Sequence, residues 1–316
     1  MEEMNDQGFS SAHRDIWIPL RMKDIPLEKM KRVKSMLDQI PNLPVSMHRI
    51  IQMTSDSTTS PKEIAEIASS DPVLVSNILM IVNSSYYGLS RKIDNIRLAI
   101  VLLGFKEVRS IAIRCGFSRV LKHLGGHGVY DTSNLWKHSY LVSQCTEYFA
   151  GEDNPQRAGT LLTLGLLHDI GKFSLYAVGL IMKQRGMKPV RAGTVPPDAH
   201  ILEKEERMFG VNHSIVGGLL AQRWTLPERI CVVIECHHYP SFFGENEIPP
   251  EYLEDIAIIC ISDLIVNRVE NPAGRLMYPH PYFFTMLGLD PDPDCAVPFE
   301  LAQKLKQAGR FLGDFE

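Results

Sequence analysis

The sequence has no pair of cysteines at a metal-binding or redox spacing, although it contains six cysteines in 316 residues. No Cys-x-x-Cys occurs, which argues against zinc-ribbon and thioredoxin-like sites. Cys145, Cys231 and Cys260 lie in apolar helical segments and are predicted to be buried, as small hydrophobic side chains. Because no disulfide-rich spacing is present either, we expect a protein of the reducing cytoplasm.

Long hydrophobic runs and an excess of charge of one sign are also missing. No stretch of 18 or more apolar residues is present, so no transmembrane helix is expected. The N-terminal text MEEMNDQGFS is acidic and polar, unlike a signal peptide. The net charge is −4 and the pI about 6.3, so there is no global basicity of the kind that nucleic-acid binding favours. The composition thus predicts no membrane partner and gives no strong nucleic-acid signal.

Alternating strand patterns are absent and helical periodicity dominates, which predicts an all-α protein. Ser60-Pro61-Lys62-Glu63 has the features of a capping box with proline in the first turn, and Asp71-Pro72 repeats the cap-then-proline signal. A first amphipathic helix is predicted from Leu27 to Ile40.

The predicted organisation has four parts, separated mainly by a glycine-rich break, HLGGHGVYDT, at 123–132. The parts are an irregular lead-in at 1–26, an N-terminal helical subdomain at 27–122, a second helical subdomain at 123–270 and a C-terminal extension at 271–316. Helices in the later parts are predicted at about 133–150, 157–181, 212–223, 227–238, 251–270 and 298–312.

Seven polar residues lie on apolar helical stripes of the second subdomain. For example, His168 follows Leu161 by seven residues and Leu164 by four, and residues three, four and seven apart share one helix face. All seven are therefore predicted to point inward, where imidazoles and carboxylates need partners. The set is His138, His168, Asp169, His213, His237, His238 and Asp263.

Each of these residues alone has an ordinary explanation. A single histidine on an apolar face is more often a hydrogen-bonded core residue, and Asp263 alone would fit a carboxylate paired with an arginine. Seven such residues on five predicted helices, with adjacent His-Asp and His-His pairs, favour one or two bound metal ions instead. The other six histidines are expected to be ordinary surface residues: His13, His48, His123, His127, His200 and His280.

The order H…HD…H…HH…D resembles the HD superfamily of metal-dependent phosphohydrolases, most specifically in GLLHDIGK at 165–172. Flanking text at 40–50, 69–89, 99–113 and 205–240 resembles the HDOD family of bacterial signalling proteins. The resemblance covers about residues 35–265 and implies an HD-like multi-helix bundle with an N-terminal helical subdomain. It also implies that all seven residues are metal ligands, although many HDOD proteins have lost part of this set.

Two departures from related families bear on function. The HD-GYP branch, which hydrolyses cyclic-di-GMP, carries Gly-Tyr-Pro shortly after the His-His pair, whereas this chain has HHYPSFFGENEIPP at 237–250. Hydrolysis of cyclic-di-GMP is therefore not expected. Some HD-GYP members also use a glutamate one turn before the first histidine. Asn134 occupies that place here, so no third metal is expected.

The resemblance also implies how the ligands divide. His138, His168, Asp169 and Asp263 would hold one ion, and His213, His237 and His238 the other, with Asp169 bridging. The ligand types suit two divalent ions among Fe, Mn, Zn and Ni, and the number of ligands favours Fe or Mn over tetrahedral Zn. Such a pair of ions would lower the pKa of a bound water and stabilise charge on phosphoryl oxygens.

Asp169 and Lys172 are the candidate catalytic residues. Lys172 lies four residues after His168 and three after Asp169, so it is placed to neutralise phosphate charge, or alternatively to extend into solvent. The loop at 183–200 carries four cations and is interpreted as a solvated surface loop, with a lid over a phosphate as the alternative.

Two functions remain open at this point. The first is a signal-transduction module with an intact, dinuclear HD-type site and an unknown protein partner. The second is a metal-dependent phosphohydrolase or phosphodiesterase acting on a nucleotide or cyclic dinucleotide, which requires a phosphate-containing small ligand.

Overall fold

The computed structural model shows α-helices, short 3₁₀ turns and no strand among the residues that it describes, which confirms the all-α prediction. Those residues are 17–54, 58–124, 132–150, 154–184, 186, 199–271, 276–291 and 298–313.

Three N-terminal helices, at 45–53, 61–69 and 72–82, pack around a long helix at 96–123 that is kinked at Gly104, whereas the first helix, at 27–37, packs against helices of the second group. Their predicted start signals are confirmed: the Ser60 side chain accepts a hydrogen bond from the Glu63 backbone while Glu63 reaches back to the Ser60 amide, and Asp71 caps the next helix through the Leu74 amide. The helices are α1 (Leu27–Leu37), α2 (Val45–Met53), α3 (Pro61–Ser69), α4 (Pro72–Val82) and α5 (Ile96–His123).

The second group of helices follows the predicted ranges closely, with one correction. The single helix predicted at 157–181 is two helices that meet at His168 and Asp169. The group consists of α6 (Thr132–Phe149), α7 (Pro155–Leu167), α8 (Ile170–Gln184), α9 (Ile201–Phe209), α10 (His213–Arg223), α11 (Glu228–Cys236), α12 (Leu253–Glu270), α13 (Pro281–Met286) and α14 (Phe299–Gly313).

The segment formed by α7 and α8 is the apolar centre of this group. By length and composition alone, the segment Arg157–Met182 could cross a membrane. The sequence analysis did not predict this, because the segment contains no uninterrupted run of 18 apolar residues. However, 78% of the most apolar window is buried inside the protein. The apolar character of this segment is thus accounted for by its packing in the core.

A buried arginine joins the two groups of helices. Arg109 of α5 is 1% exposed and donates hydrogen bonds to the side chain and carbonyl of Thr54 and to Gly159 and Thr163 of α7. One continuous cluster of buried apolar residues also runs through both groups. The predicted boundary at 123–132 lies mostly outside the described residues, and the division into four parts stays a prediction.

A second contact between the groups involves a buried carboxyl. Tyr140 of α6 donates a 2.8 Å hydrogen bond to Glu107 Oε1 of α5, while Glu107 Oε2 is buried with no hydrogen bond among the described residues. Burial raises the pKa of Glu107 to about 7. This side chain is therefore protonated in the folded protein under mildly acidic conditions.

This contact predicts a pH dependence of stability. The unfolded chain releases the Glu107 proton near pH 4.5, whereas the folded protein keeps it to about pH 7. The folded state binds more protons in this window, so its stability should fall as the pH rises through it. Replacing Glu107 with glutamine should remove roughly 2–3 kcal/mol of that fall, at about 1.4 kcal/mol per pKa unit.

Urea unfolding of the wild-type protein and Glu107→Gln at pH 5 and pH 8 measures this difference. Glu66→Gln, on an exposed face of α3, is the matched control and should leave the pH dependence unchanged. A parallel pH dependence in wild type and Glu107→Gln would contradict the assignment.

Candidate metal centre

Five of the seven predicted ligands lie at helix ends and two lie inside helices. His168 and Asp169 occupy the junction of α7 and α8, His213 is the first residue of α10, and His237 and His238 follow α11 directly. Neighbouring residues in a continuous helix point about 100° apart. The regular α-helix is interrupted at 168–169 and at 237–238, and both members of each pair lie among the ligand atoms.

The first cluster consists of His138 from α6, His168 and Asp263 from α12. Their ligand atoms all lie within 4.8 Å of one another. His138 Nε2 lies 2.8 Å from Asp263 Oδ1, and His168 Nε2 lies 3.7 Å from the same oxygen. Two imidazoles and one carboxylate thus converge on a small volume.

The second cluster consists of His213, His237 and His238, whose ligand atoms meet the same 4.8 Å limit. His213 Nε2 lies 3.4 Å from His237 Nε2 and 3.1 Å from His238 Nε2. All three side chains are buried. Three imidazole nitrogens therefore meet with no carboxylate among them.

Asp169 lies between the two clusters and turns one oxygen toward each. Oδ1 is 3.2 Å from His213 Nε2 and 3.9 Å from His237 Nε2. Oδ2 is 3.4 Å from His168 Nε2 and 3.8 Å from His138 Nε2. This is the placement expected of a carboxylate shared between two neighbouring ion sites.

Four of the five imidazoles are held through Nδ1, which leaves Nε2 directed at the centre. His168 and His237 donate from Nδ1 to the carbonyls of Gly165 and Ile234, at 2.8 and 2.7 Å. A carbonyl only accepts, so Nδ1 carries a hydrogen and Nε2 is the ring nitrogen left to bind a metal. The same nitrogen of His213 contacts Glu205, and that of His138 contacts Glu270.

The charges of the centre are set by burial and by mutual contact. Burial lowers the pKa of His237 to about 3, and burial beside His237 holds the pKa of His238 well below its usual value. Burial opposes ionisation of Asp169, but Lys172 and His168 outweigh it and hold its pKa well below the ordinary value. Burial lowers the pKa of His168, but Asp169 and Asp263 outweigh it and raise this pKa to about 10. A metal binds neutral imidazoles and ionised carboxylates, so His237 and His238 are already in the form that binds an ion, whereas His168 must first lose a proton.

Two buried polar atoms support the assignment of a metal site. His168 Nε2 and Asp169 Oδ1 have no hydrogen-bond partner among the described residues. An unsatisfied buried charge or imidazole lone pair is costly, and a divalent cation would satisfy both. The donor set, nitrogen and oxygen without sulfur, fits such an ion.

Two glycines allow the helices of the centre to approach. A Cβ on Gly171 of α8 would lie 1.7 Å from the carbonyl oxygen of His213 on α10. A Cβ on Gly217 of α10 would lie 2.9 Å from the backbone nitrogen of Gly171. Asp169 lies two residues before Gly171, and the carbonyl oxygen at the contact belongs to His213. The contact between these two backbones therefore sets how closely Asp169 and His213 approach each other.

Three residues near the centre were not predicted from the sequence. Glu205 and Glu270 contact His213 and His138 through their Nδ1 atoms. Glu270 lies seven residues after Asp263 on α12, so the spacing that identified the ligands would also have placed it on their face, whereas Glu205 lies on α9, which was not predicted. His200 was predicted to be an ordinary surface residue, and this prediction was wrong. Its ring packs edge-on against His238 at 5.6 Å and against Phe242, and burial lowers its pKa to about 4.

Lys172 lies against the centre as predicted, with Nζ 2.5 Å from Asp169 Oδ2. Its side chain is 30% exposed, so it also reaches solvent. Asn134 is exposed on α6. Most of the cationic loop at 183–200 lies outside the described residues, and its role stays a prediction.

The glycine crossing yields a prediction about stability. Gly171→Ala should force α8 and α10 apart and lower the free energy of unfolding by about 1–3 kcal/mol, the usual cost of overpacking. Gly179→Ala, on the same helix, is the matched control, since its Cβ would meet nothing closer than 3.9 Å. The better helix propensity of alanine should stabilise that variant by up to about 1 kcal/mol. Urea unfolding measures both, and equal stabilities would refute the steric argument.

Comparison with known proteins bears out the resemblance. The model of the HDOD domain matches residues 40–240. An uncharacterised protein of Treponema pallidum (strain Nichols) is 25% identical over 241 residues, which cover 74% of this chain and 43% of that protein. The chain thus spans less than half the length of this relative.

Solved structures share the fold. A candidate signal transduction protein from Marinobacter aquaeolei VT8 superposes with a TM-score of 0.66 at 18% identity, covering 90% of this chain and 65% of that one. A candidate phosphohydrolase from Shewanella amazonensis SB2B gives 0.58 at 18%, covering 90% and 98%. An HDOD protein of unknown function from Geobacter sulfurreducens gives 0.55 at 22%, covering 88% and 89%. With the family model matching well over half of its length, this chain belongs to the HDOD domain family.

Proposed function

We propose that the chain is a signal-transduction HDOD module built around a dinuclear metal centre. The observation that carries the proposal is the position of Asp169, whose two oxygens face two separate clusters of ligand atoms. A mononuclear site needs about four protein ligands, whereas seven converge here. The candidate signal transduction protein of similar fold supports the biological role.

The proposed division of ligands follows the clusters. His138, His168 and Asp263 would hold one ion, His213, His237 and His238 the other, and Asp169 both. Ions bound there would act as Lewis acids toward an oxygen ligand such as a phosphate. Imidazole and carboxylate donors in this number favour Fe or Mn, with Zn or Ni as alternatives.

The module would act by binding a protein partner rather than through a fused output domain within this sequence. The metal centre would fix six helices relative to one another, so that metal loading decides the shape presented to the partner. A cytoplasmic location is part of the proposal, and the five free cysteines in the described residues support it.

A metal-dependent phosphohydrolase is the second candidate, favoured by the partial exposure of residues beside Asp169 Oδ2. On this side His168 is fully buried, but the side chains of His138 and Asp263 are 10% and 13% exposed. Lys172 lies on the same open side. A phosphate could reach this side, where the ammonium group would neutralise charge on its oxygens.

The metal centre predicts a specific effect of removing the shared carboxylate. Purified wild-type protein should contain close to two metal ions per chain by elemental analysis. Asp169→Ala should lose more metal than any other single ligand change, because one side chain serves both ions, and its melting temperature should fall as well.

Asp255→Ala is the control for this experiment. Asp255 is also buried and charged, lies on α12, and pairs with Arg229 at 2.9 Å, away from the ligands. It should lose stability and keep its metal. Retention of both ions by Asp169→Ala would show that the carboxylate does not bridge, and one ion in the fully loaded wild type would overturn the dinuclear proposal.

Turnover decides between the two candidate functions. Metal-loaded protein is assayed against cyclic dinucleotides, nucleoside monophosphates and an aryl phosphodiester. If the chain is an enzyme, Lys172→Gln should lower the rate roughly 10²-fold or more, the scale for removing one electrostatic stabiliser, with metal content unchanged. Lys62→Gln, an exposed residue of α3, is the control.

The expected result for cyclic-di-GMP is no hydrolysis, since Gly-Tyr-Pro is absent after His238. Absence of turnover on every substrate, with two ions confirmed, would support the signalling module. Turnover that Lys172→Gln leaves unchanged would remove that residue from the chemistry.

A further inference from the structure

His200 is the N-cap of α9, and this position fixes which of its ring nitrogens carries a hydrogen. Its Nδ1 accepts a hydrogen bond from the backbone amide of Leu202 at 3.3 Å. A protonated imidazole has no acceptor, so the ring is neutral and its hydrogen is on Nε2. In His168 and His237, by contrast, Nδ1 carries a hydrogen. His200 is therefore a hydrogen-bond donor at Nε2 and not a further metal ligand.

The ring of His200 lies beside the metal centre. It packs edge-on against the ring of His238, with the two centroids 5.6 Å apart. Burial is the largest cause of the lowered pKa of His200, and the charges of His213, Asp263 and Lys172 also act on this pKa. Charges act strongly only over short distances, so the donor lies near ligands of both clusters and near Lys172.

Two aromatic side chains hold the His200 ring in place. Trp17 stacks on it, with centroids 6.3 Å apart and an angle of 26° between the planes, and Phe242 packs edge-on at 5.2 Å. Trp17 is itself fixed, because its Nε1 donates to Glu206 at 3.2 Å. Among the described residues, the ring makes its one hydrogen bond through Nδ1. The N–H group at Nε2 is thus held in a fixed position and is left to bind another acceptor.

We propose that His200 is a further binding residue of the metal centre, which donates a hydrogen bond from Nε2 to an oxygen of a bound phosphate. The inference rests on the proposed function, because ions at the centre would hold the phosphate within reach of the ring. Lys172 supplies a positive charge at the same site, whereas His200 supplies a neutral donor with a fixed direction. Such a donor stabilises an oxyanion without having to rearrange when the anion binds.

Calorimetric titration of the full, metal-loaded chain with inorganic phosphate tests the donor. His200→Phe keeps a ring beside Trp17 and Phe242 but removes the donor and the cap, whereas His200→Ser keeps a capping hydroxyl and removes the donor. Both variants should bind phosphate at least about tenfold more weakly than the wild type, a factor that corresponds to roughly 1.4 kcal/mol. Both should keep the metal content of the wild type in elemental analysis.

His280→Phe is the matched control. His280 is exposed and is the N-cap of α13, where its Nδ1 accepts from the Tyr282 amide at 3.3 Å, the same distance as at His200. This variant loses an equivalent cap and should bind phosphate as the wild type does. Equal weakening in His280→Phe would attribute the effect to helix capping and overturn the donor. Unchanged affinity in both His200 variants would overturn it too.

Metal content separates this inference from the proposed function. Loss of metal from both His200 variants would make the residue part of the metal site itself and overturn its role as a donor. Absence of phosphate binding by a wild-type protein that holds two ions would also overturn the inference, while the metal centre stood. Phosphate binding that survives chelation but fails in both His200 variants would support the donor and refute the ions as the anchor. One ion per chain would refute the dinuclear centre, and the comparison of the variants would still decide the role of His200.

Discussion

The ionised carboxylate of Asp169, 1% exposed at the junction of two core helices, is the constraint on which the rest of the structure depends. A buried charge of this kind is tolerated only where opposite charge or donors surround it. Here Lys172 and imidazoles from other helices supply them, so the helices must meet at this point. The glycine crossing of α8 and α10 is the steric condition for that meeting, and the Nδ1 contacts fix which nitrogen of each ring faces the centre.

Much of this arrangement could be predicted from sequence because it follows local rules. Helical spacing identified the inward-facing ligands, and the capping residues Ser60 and Asp71 start their helices as their side-chain chemistry requires. The end of α11 was predicted to within two residues, at 238 against Cys236. The break at His168-Asp169 was not predicted, because the apolar spacing continues through it. Periodicity also contains no information about the local contact there, in which His168 Nδ1 donates to the Gly165 carbonyl.

The residues around the ligands were missed for a related reason. Glu270 contacts His138, which is 132 residues away along the chain, and the ring of His200 contacts the ring of His238 on another element. The spacing of residues along one helix gives no information about which residues of another helix they contact. The HDOD match and the shared fold identify the scaffold, whereas any activity depends on the charges and the exposure of the side chains at this centre.

The buried guanidinium of Arg109 has a consequence for how the molecule unfolds. Its acceptors come from both groups of helices, with Thr54 on one side and Gly159 and Thr163 on the other. Separating the groups would break the hydrogen bonds from Arg109 to α7 and expose the apolar side chains that the two groups share, which disfavours an intermediate with only one group folded. We therefore expect the N-terminal helices and the metal helices to unfold as one cooperative unit. The glycine-rich sequence at 123–132 then divides the chain into two parts without dividing its unfolding into two steps.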